Sequence, residues 1–442
     1  MIKEYPCGEE YLEQIPVWAS KKHTIEDIRD FLTDMGDPDR TMTIVHVAGT
    51  NGKGSVCAYL ESILLKAGYH TGTFISPHLI DIRERFRLDG QMVSQEAFQE
   101  SFQRIFSLTA KEMKLGREHP SYFEFLFYMA MDLFHKTAPD VVILETGLGG
   151  TYDATNGVRN PAVSAITSIG LDHTQYLGET VEEIASQKAG IIRKRTPVVF
   201  DGRDGKAAAV IQAEAKRQEA PYWIFKDQSY KVLSWNSGGI QAVLKTIEGQ
   251  DFPIEISTEA EYQIRNGGLA LWAAEILNKQ CPNISLTEEQ IRQGLESMKW
   301  PARMEEVLPG VFLDGAHNPH GIREFAKAAK KICQIRGKRA VLLFSAVGDK
   351  DHGKMARLLL SSLPVDEAVL VRLKSERGLN LGDLSEDFNR PGLCCREFDS
   401  VPEAMDALLQ GRDEEHLIFC AGSLYLMGEL KAELRRLKND RF

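Results

Sequence analysis

One segment, Val47-Ala48-Gly49-Thr50-Asn51-Gly52-Lys53-Gly54-Ser55, constrains this chain more than any other. The run that leads into it, Thr43-Ile44-Val45-His46-Val47-Ala48, is mostly apolar and β-branched, the pattern of a strand buried on both faces. Residues 54–67 then read as a helix closed by Gly68. A buried strand, a glycine-rich turn and a helix N-terminus aim several backbone N–H groups and the positive end of the helix dipole at one small anion. Lys53 adds a point charge suited to phosphate oxygens. The generic Walker spacing requires Gly at position 47, which is Val, so the loop is not the generic pattern. The bland alternative is a tight turn with no ligand, and Lys53 together with both flanks argues against it.

The same alternation recurs along the chain. Residues 140–145, 162–167 and 197–200 read as buried strands, and 123–135 and 180–189 as helices. Continuous apolar strands separated by helices predict an α/β fold with a mostly parallel sheet covered on both faces. Between 222 and 256 the pattern changes to short β-like runs around Gly238-Gly239, which predicts an antiparallel hairpin. Helices follow over 264–277 and 287–298, the second opened by a Thr287/Gln290 capping box. Lys299-Trp300-Pro301-Ala302-Arg303 interrupts the pattern, after which strands at 311–314, 339–345, 366–372 and 416–420 and a helix at 319–335 restart it. The reading is a large domain over 1–298 and a smaller α/β domain over 299–442.

Composition narrows the function classes. The chain has 442 residues, with 53 Lys and Arg against 63 Asp and Glu, a net charge of −10. An acidic protein of this size is not built to bind nucleic acid, whose footprint is basic. No apolar run is long enough to span a membrane, and Met1-Ile2-Lys3-Glu4-Tyr5-Pro6 has no apolar core of a secretion signal. Seven scattered cysteines without CxxC spacing argue against a zinc site or disulfide framework, and fit the cytoplasm.

Glu145 ends a predicted strand just before Gly147-Leu148-Gly149-Gly150. A carboxylate at a strand's carboxyl end, beside a phosphate loop, is where a magnesium ligand is needed. A lone Glu there is otherwise a solvated strand end. Ser55 is the hydroxyl that would touch the metal in a generic phosphate loop.

The loop resembles the phosphate loop of the Mur ligase superfamily, and specifically of folylpolyglutamate and dihydrofolate synthases. The likeness continues through Ser76-Pro77-His78-Leu79, Glu84-Arg85, Phe123-Glu124, Asp153-Ala154-Thr155-Asn156, Leu171-Asp172-His173-Thr174 and Lys188-Ala189-Gly190-Ile191. It resumes at Trp300-Pro301-Ala302-Arg303, Asp314-Gly315-Ala316-His317-Asn318-Pro319 and Gly422-Ser423-Leu424-Tyr425. The resemblance implies a P-loop-containing Mur-ligase-like central domain and a Rossmann-like C-terminal domain. It implies that ATP is held by Gly49, Thr50, Asn51, Gly52, Lys53, Gly54, Ser55, Asn266, Arg303, Asp314 and His317. Mg²⁺ would sit on Ser76, Glu145 and His173, which leaves Ser55 to cap the helix or touch phosphate. Hard-ion chemistry does not predict a His ligand, so His173 would otherwise read as a lid or helix-cap residue. Lys188 would be carbamylated to N6-carboxylysine, although Gln187 precedes it where the family usually has Glu. The pterin pocket would be lined by Ser121, Tyr122, Phe123, Glu124, Tyr152, Asp153 and Ala154, an aromatic stacking on the ring and a carboxylate meeting its amino edge. Phe125 and Phe127 read as helix core. K⁺ and a monomeric state are implied in the same way. Thr151, Tyr262 and Ala421 depart from the usual Arg, His and Thr.

The expected reaction is amide ligation. Lys53 and Mg²⁺ position ATP, a folate carboxylate becomes an acyl phosphate, and the amino group of L-glutamate displaces phosphate, with Arg303 stabilising charge across the cleft. Lys53, Glu145, His173, Lys188 and Arg303 are the expected catalytic set. Another Mur-type amide ligase is the first alternative. Only about 45 residues precede the loop, fewer than an extra domain of ordinary size needs. A nucleotide-hydrolysing P-loop protein without ligase activity is the second.

Overall fold

The computed structural model describes residues 7–15, 23–236, 238–375 and 377–439. The first six residues, read above as lacking a secretion signal, lie outside them. The first sheet has eight strands: β1 (Ile44–Ala48), β2 (Thr71–Phe74), β3 (Phe86–Leu88), β4 (Gln91–Met92), β5 (Val141–Glu145), β6 (Val163–Ile166), β7 (Val198–Asp201) and β8 (Tyr222–Phe225). Their order is β4-β3-β2-β5-β1-β6-β7-β8. The six from β2 to β8 run parallel, and β3 and β4 join antiparallel at the β2 edge. Val47 lies opposite Glu145 on one side and Ala165 on the other. The carboxyl ends of β1, β5 and β6 therefore stand side by side, where open α/β sheets bind ligands.

All five residues of β1 and of β5 are buried, as two-sided burial of apolar runs requires. On one face Val45, Val47, Val141 and Ile143 pack against the helix Lys53–Lys66 and the helix Tyr262–Gln280. The other face buries Ile44, Val142 and Leu144 against aromatic residues of the helix Tyr122–Thr137. Phe125 and Phe127 are fully buried there, each contributing about 1.5–3 kcal/mol of burial. The strand β2 escapes sequence patterning because Thr71 and Thr73 break its apolar run, and Gly72 leaves room for the Phe134 ring, 2.7 Å from where a Cβ would stand.

A second, three-stranded antiparallel sheet, β9 (Tyr230–Asn236), β10 (Gly239–Lys245) and β11 (Asp251–Ile256), shares the core of the first face. It contains the expected hairpin and one strand more. The expected Thr287/Gln290 capping box is present on the helix Glu288–Ser297. The third sheet holds β12 (Glu305–Leu308), β13 (Val311–Leu313), β14 (Arg339–Phe344), β15 (Val365–Val371), β16 (Cys394–Phe398) and β17 (His416–Ala421), in the order β12-β13-β17-β14-β15-β16. Only β12 is antiparallel. Its two faces bury two further clusters, so the chain forms an N-terminal and a C-terminal α/β body. Among the described residues no helix is long and apolar enough to cross a membrane, and all seven cysteines are free.

Candidate active site

The phosphate loop turns between β1 and its helix through two glycines in conformations L side chains rarely adopt, Gly49 at φ +151 and Gly52 at φ +93. A Cβ on Gly52 would stand 2.4 Å from Asn266 Oδ1, which places Asn266 directly against the loop. Asn266 donates to Gln263 Oε1 at 2.9 Å, and Gln263 Nε2 donates to Ser55 Oγ at 3.3 Å. Ser55 does not cap its helix: the N-cap is Gly52, and the Ser55 hydroxyl is buried against Gln263. The loop is tied down from below, with Thr50 N donating to Ser168 O at 2.8 Å and Thr167 Oγ1 donating to Asn51 O at 2.8 Å.

Beneath the loop Lys53 Nζ lies 3.7 Å from Glu145 Oε1, and Ser76 N donates to Glu145 Oε2 at 3.2 Å. Glu145 is buried. Burial pushes its carboxyl upward, against the opposing charge of Lys53, the Ser76 N–H and Arg303. A buried, incompletely neutralised carboxylate of this kind fits a cation. Lys188 Nζ donates to Gly49 O at 2.7 Å from a fully buried position. Burial first, and Lys53 second, bring its ammonium down to about 7. At neutral pH a large share of this amine is uncharged, the form that reacts with carbon dioxide. The departure at Thr151 is explained locally: its N–H and its Oγ1 both donate to Gln187 O, at 2.8 and 3.0 Å, closing the helix that carries Lys188.

The C-terminal body meets this loop from above. Asn51 and Asn318 exchange two amide hydrogen bonds of 3.1 Å, and Asn51 Nδ2 also reaches His320 Nδ1 at 2.9 Å. Asp172 receives Lys350 Nζ at 2.7 Å and Asn318 Nδ2 at 2.8 Å, with His173 Nε2 and His317 Nε2 each at 3.9 Å. Burial alone would raise Asp172, yet His317, His173 and Lys350 hold its carboxyl well below the usual range. Burial brings His173 down to about 4, so it is a neutral imidazole at neutral pH. His173 stands at the N-cap of the short helix Thr174–Leu177 without a side-chain cap bond. Among the described residues no group of three or more His, Cys, Asp and Glu forms a ready-made metal cluster. The expected set of Ser76, Glu145 and His173 is of another composition, and the structure joins Ser76 to Glu145 while His173 faces Asp172 and Lys350.

Asp314 directly follows β13 and is fully engaged by protein. It accepts Tyr262 OH at 2.5 Å, Met304 N at 2.9 Å and Ala316 N at 2.8 Å. It does not cap the following helix, a task done by Asn318, whose Oδ1 accepts Gly321 N at 2.7 Å. Arg303 lies over Gly315, whose Cβ would stand 2.2 Å from Nη1, and its charge bears on both Asp314 and Glu145. Among the described residues it forms no ion pair, so a plain interdomain salt bridge does not account for it. Tyr262→Phe deletes one of three donors to a buried carboxylate. It is expected to lower the unfolding free energy by about 1–2 kcal/mol in urea titration. Unchanged stability would show the hydroxyl dispensable.

The expected pterin segments flank the same cleft with mixed roles. The Phe123 ring would meet a Cβ on Gly147 at 2.6 Å, so this aromatic packs directly under the glycine turn. The Arg85 guanidinium sits 5.5 Å from the Tyr122 ring centroid, and Tyr152 is 69% exposed, free to meet a ligand. Both carboxylates have protein partners. Glu124 Oε2 accepts Ser121 N at 2.7 Å and faces His23 Nδ1 at 2.8 Å. Asp153 is buried and accepts Leu148 N at 2.8 Å and Thr155 Oγ1 at 2.6 Å. Ala154 is buried beside it in the aromatic core. His46, in β1, closes this chain at 2.8 Å from Thr155 Oγ1, so Asp153 holds the glycine turn in place.

Three residues of the cleft had no assigned role in the sequence reading. Asp172 and Asn318 lie inside quoted motifs, and Lys350 in none. The signal for Lys350 was available: it follows the carboxyl end of a buried parallel strand, where ligands gather.

Comparison with known proteins agrees with this geometry. The Mur ligase middle domain matches residues 47–274 and the Mur ligase glutamate ligase domain residues 302–424. Dihydrofolate synthase/folylpolyglutamate synthase of Bacillus subtilis is 33% identical over 420 residues, covering 92% of this chain and 94% of the relative. Folylpolyglutamate synthase of Lacticaseibacillus casei is 30% identical over 92% of this chain and 93% of its own length. Among solved structures, Mycobacterium tuberculosis folylpolyglutamate synthase complexed with ADP superposes with a TM-score of 0.86 at 28% identity, covering 96% of this chain and 97% of that one. E. coli FolC in complex with DHPP and ADP gives 0.83 at 29% identity over 99% of both chains. Two α/β bodies closing on a phosphate loop define an ATP-dependent ligase of the Mur type. Within that class the chain belongs to the folylpolyglutamate synthase/dihydrofolate synthase family.

Proposed function

We propose that this chain joins L-glutamate to the carboxylate of a reduced folate at the expense of ATP, and that it also accepts dihydropteroate. The observation that carries the reading is the stack of Lys53 over buried Glu145, beneath a phosphate loop that the C-terminal body touches through Asn51 and Asn318. The loop N–H groups and Lys53 hold the phosphates. A substrate carboxylate oxygen attacks the γ-phosphorus, ADP leaves, and the resulting acyl phosphate is attacked by the glutamate amine. The C–N bond forms, the amine loses a proton, and inorganic phosphate departs. Arg303, whose charge bears on both Glu145 and Asp314, stabilises the transferring phosphoryl group in this reading. Seating of the C-terminal body excludes water that would hydrolyse the acyl phosphate, with the linker near residue 299 as the hinge between domains 1–298 and 299–442.

Ser76, Glu145 and His173 are the residues that would hold Mg²⁺, whose contribution is neutralisation of phosphate charge. K⁺ is carried by family likeness alone, and no residue here is assigned to it. A monomer acting in the cytoplasm completes the reading. A mass-resolved assay with ATP, Mg²⁺ and L-glutamate tests it, run separately with dihydropteroate and tetrahydrofolate. Adducts from both support a bifunctional enzyme, an adduct from tetrahydrofolate alone confines it to polyglutamylation, and none from either rejects the folate reading.

Carbamylation of Lys188 gives a second expectation. Because its ammonium titrates near 7, the reactive amine is lost as the pH falls below that value. Activity in carbonate-depleted buffer is therefore expected to drop below pH 7 and to return with added bicarbonate. The linkage sign is fixed as well. Between about 7 and the ordinary 10.5 the unfolded chain binds more protons, so unmodified protein gains stability as the pH rises through that window. Bicarbonate-independent activity across this range would reject the modification.

A further inference from the structure

We infer that Asp172 and Lys350 form a latch that couples seating of the C-terminal body to the placement of the phosphate loop and His173. The inference rests on the ligase reading above. Asp172 belongs to the loop that leaves β6, on the N-terminal body, and Lys350 to the loop that leaves β14, 178 positions later. Their side chains are only 8% and 10% exposed, so solvent does not screen the pair as it screens a surface ion pair. Burying two charges costs desolvation energy that a fold gains nothing by spending on stability alone. Here the pair is paid for by position: His317, Asn318 and Lys350 all come from one body, and all turn to a single carboxylate of the other.

The loop that carries Asp172 is also the floor of the phosphate loop. Ser168 O accepts Thr50 N, Thr50 Oγ1 donates to Gly170 O at 3.1 Å, and Ser168 Oγ donates to Asn51 O at 3.0 Å. Gly170 itself lies so close to the C-terminal body that a Cβ would stand 2.5 Å from the His320 ring. Lys350 Nζ continues past Asp172 to His173 Nε2 at 3.4 Å. One short loop thus touches the nucleotide loop on one side and the C-terminal body on the other. Opening the cleft removes three of its side-chain partners at once. Lys350 is in this sense a positioning residue, acting on His173 and the phosphate loop through Asp172.

The test compares Lys350→Met, Lys350→Arg, Asp172→Asn and the double variant Asp172→Asn/Lys350→Met with the native chain. Lys350→Met is expected to lower kcat for glutamate-dependent phosphate release about 30-fold. Calorimetric Kd for ADP should stay within about threefold, because the loop's own contacts remain. Small-angle scattering with ADP should show a larger radius of gyration than native, and Lys350→Arg should recover most of the rate. The double variant should be no worse than the poorer single by more than about threefold, as for residues acting as one unit. Losses that multiply, a Lys350→Met rate within threefold of native, or native compaction in that variant would each overturn the latch. A variant that melts early is read by Lys350→Arg alone, whose failure to recover rate or compaction counts against it. If the native chain releases no phosphate with glutamate, the ligase reading has failed, while the scattering comparison still decides the latch.

Discussion

Lys53→Met is expected to lower glutamate-dependent turnover about 10³-fold while the protein remains folded. The size follows from what the residue does at two distances. In the proposed mechanism it brings a full positive charge to phosphate oxygens from a side chain only 15% exposed, where removing one such group costs about 10²–10³ in rate. Beneath the site it is the cation at 3.7 Å from buried Glu145, so its loss also pushes that carboxyl further above its ordinary 4.5. The folded state then binds more protons than the unfolded chain, and stability falls as the pH rises through that window. Stopped assays of phosphate release with saturating glutamate read the rate, and urea unfolding at two pH values reads the linkage. A rate within tenfold of native would remove Lys53 from the catalytic set.

Gly49→Ala is expected to be the most damaging single methyl in the molecule for nucleotide binding. Its Cβ would stand 1.8 Å from Thr167 Oγ1 and 2.9 Å from Thr167 Cβ, on a backbone at φ +151. Thr167 cannot simply step aside, because the same hydroxyl donates to Asn51 O and holds the loop. The carbonyl of Gly49 is also the acceptor for Lys188, so the strain reaches the buried amine. A stability loss of about 3 kcal/mol and at least about 100-fold weaker ADP binding are expected, by urea titration and calorimetry. Gly36→Ala is the control: it has positive φ and nothing within 4 Å of its Cβ, so it should cost about 1 kcal/mol and leave ADP binding alone. Equal effects at both positions would mean that backbone strain, not the loop contact, is responsible.

What the sequence makes legible is local and periodic. The strand β1, its glycine turn and its helix can be read because apolar continuity, glycine and lysine fall within a dozen consecutive residues. Glu145 can be read because it ends a similar run. The strand β2 cannot, because two of its four residues are threonines and its burial is imposed by β5 and the Phe134 ring. Tyr262 shows in the sequence only as a departure from a family pattern. Its meaning emerges from Asp314, which it meets across 52 positions. Ser55 illustrates a different case: a serine in the first turn of a helix looks like a cap, and the structure gives that place to Gly52 while Ser55 Oγ accepts from Gln263. The pairing of Asp172 with Lys350 is not legible locally: each follows the carboxyl end of a parallel strand, but nothing in either segment points to the other until the two bodies meet.

The first sheet also acts as a partition. Alternate residues of β1 and β5 send Val45, Val47, Val141 and Ile143 toward the nucleotide-side helices, and Ile44, Val142 and Leu144 toward the aromatic helices behind the expected pterin segments. Two cores are thus filled independently by neighbouring side chains of the same strands. Substitutions among the aromatic helices behind the expected pterin segments therefore have packing partners separate from those around the helix that follows the phosphate loop. One β-layer thus keeps two sets of packing demands apart, and either face can be repacked while the contacts of the other stay as they are.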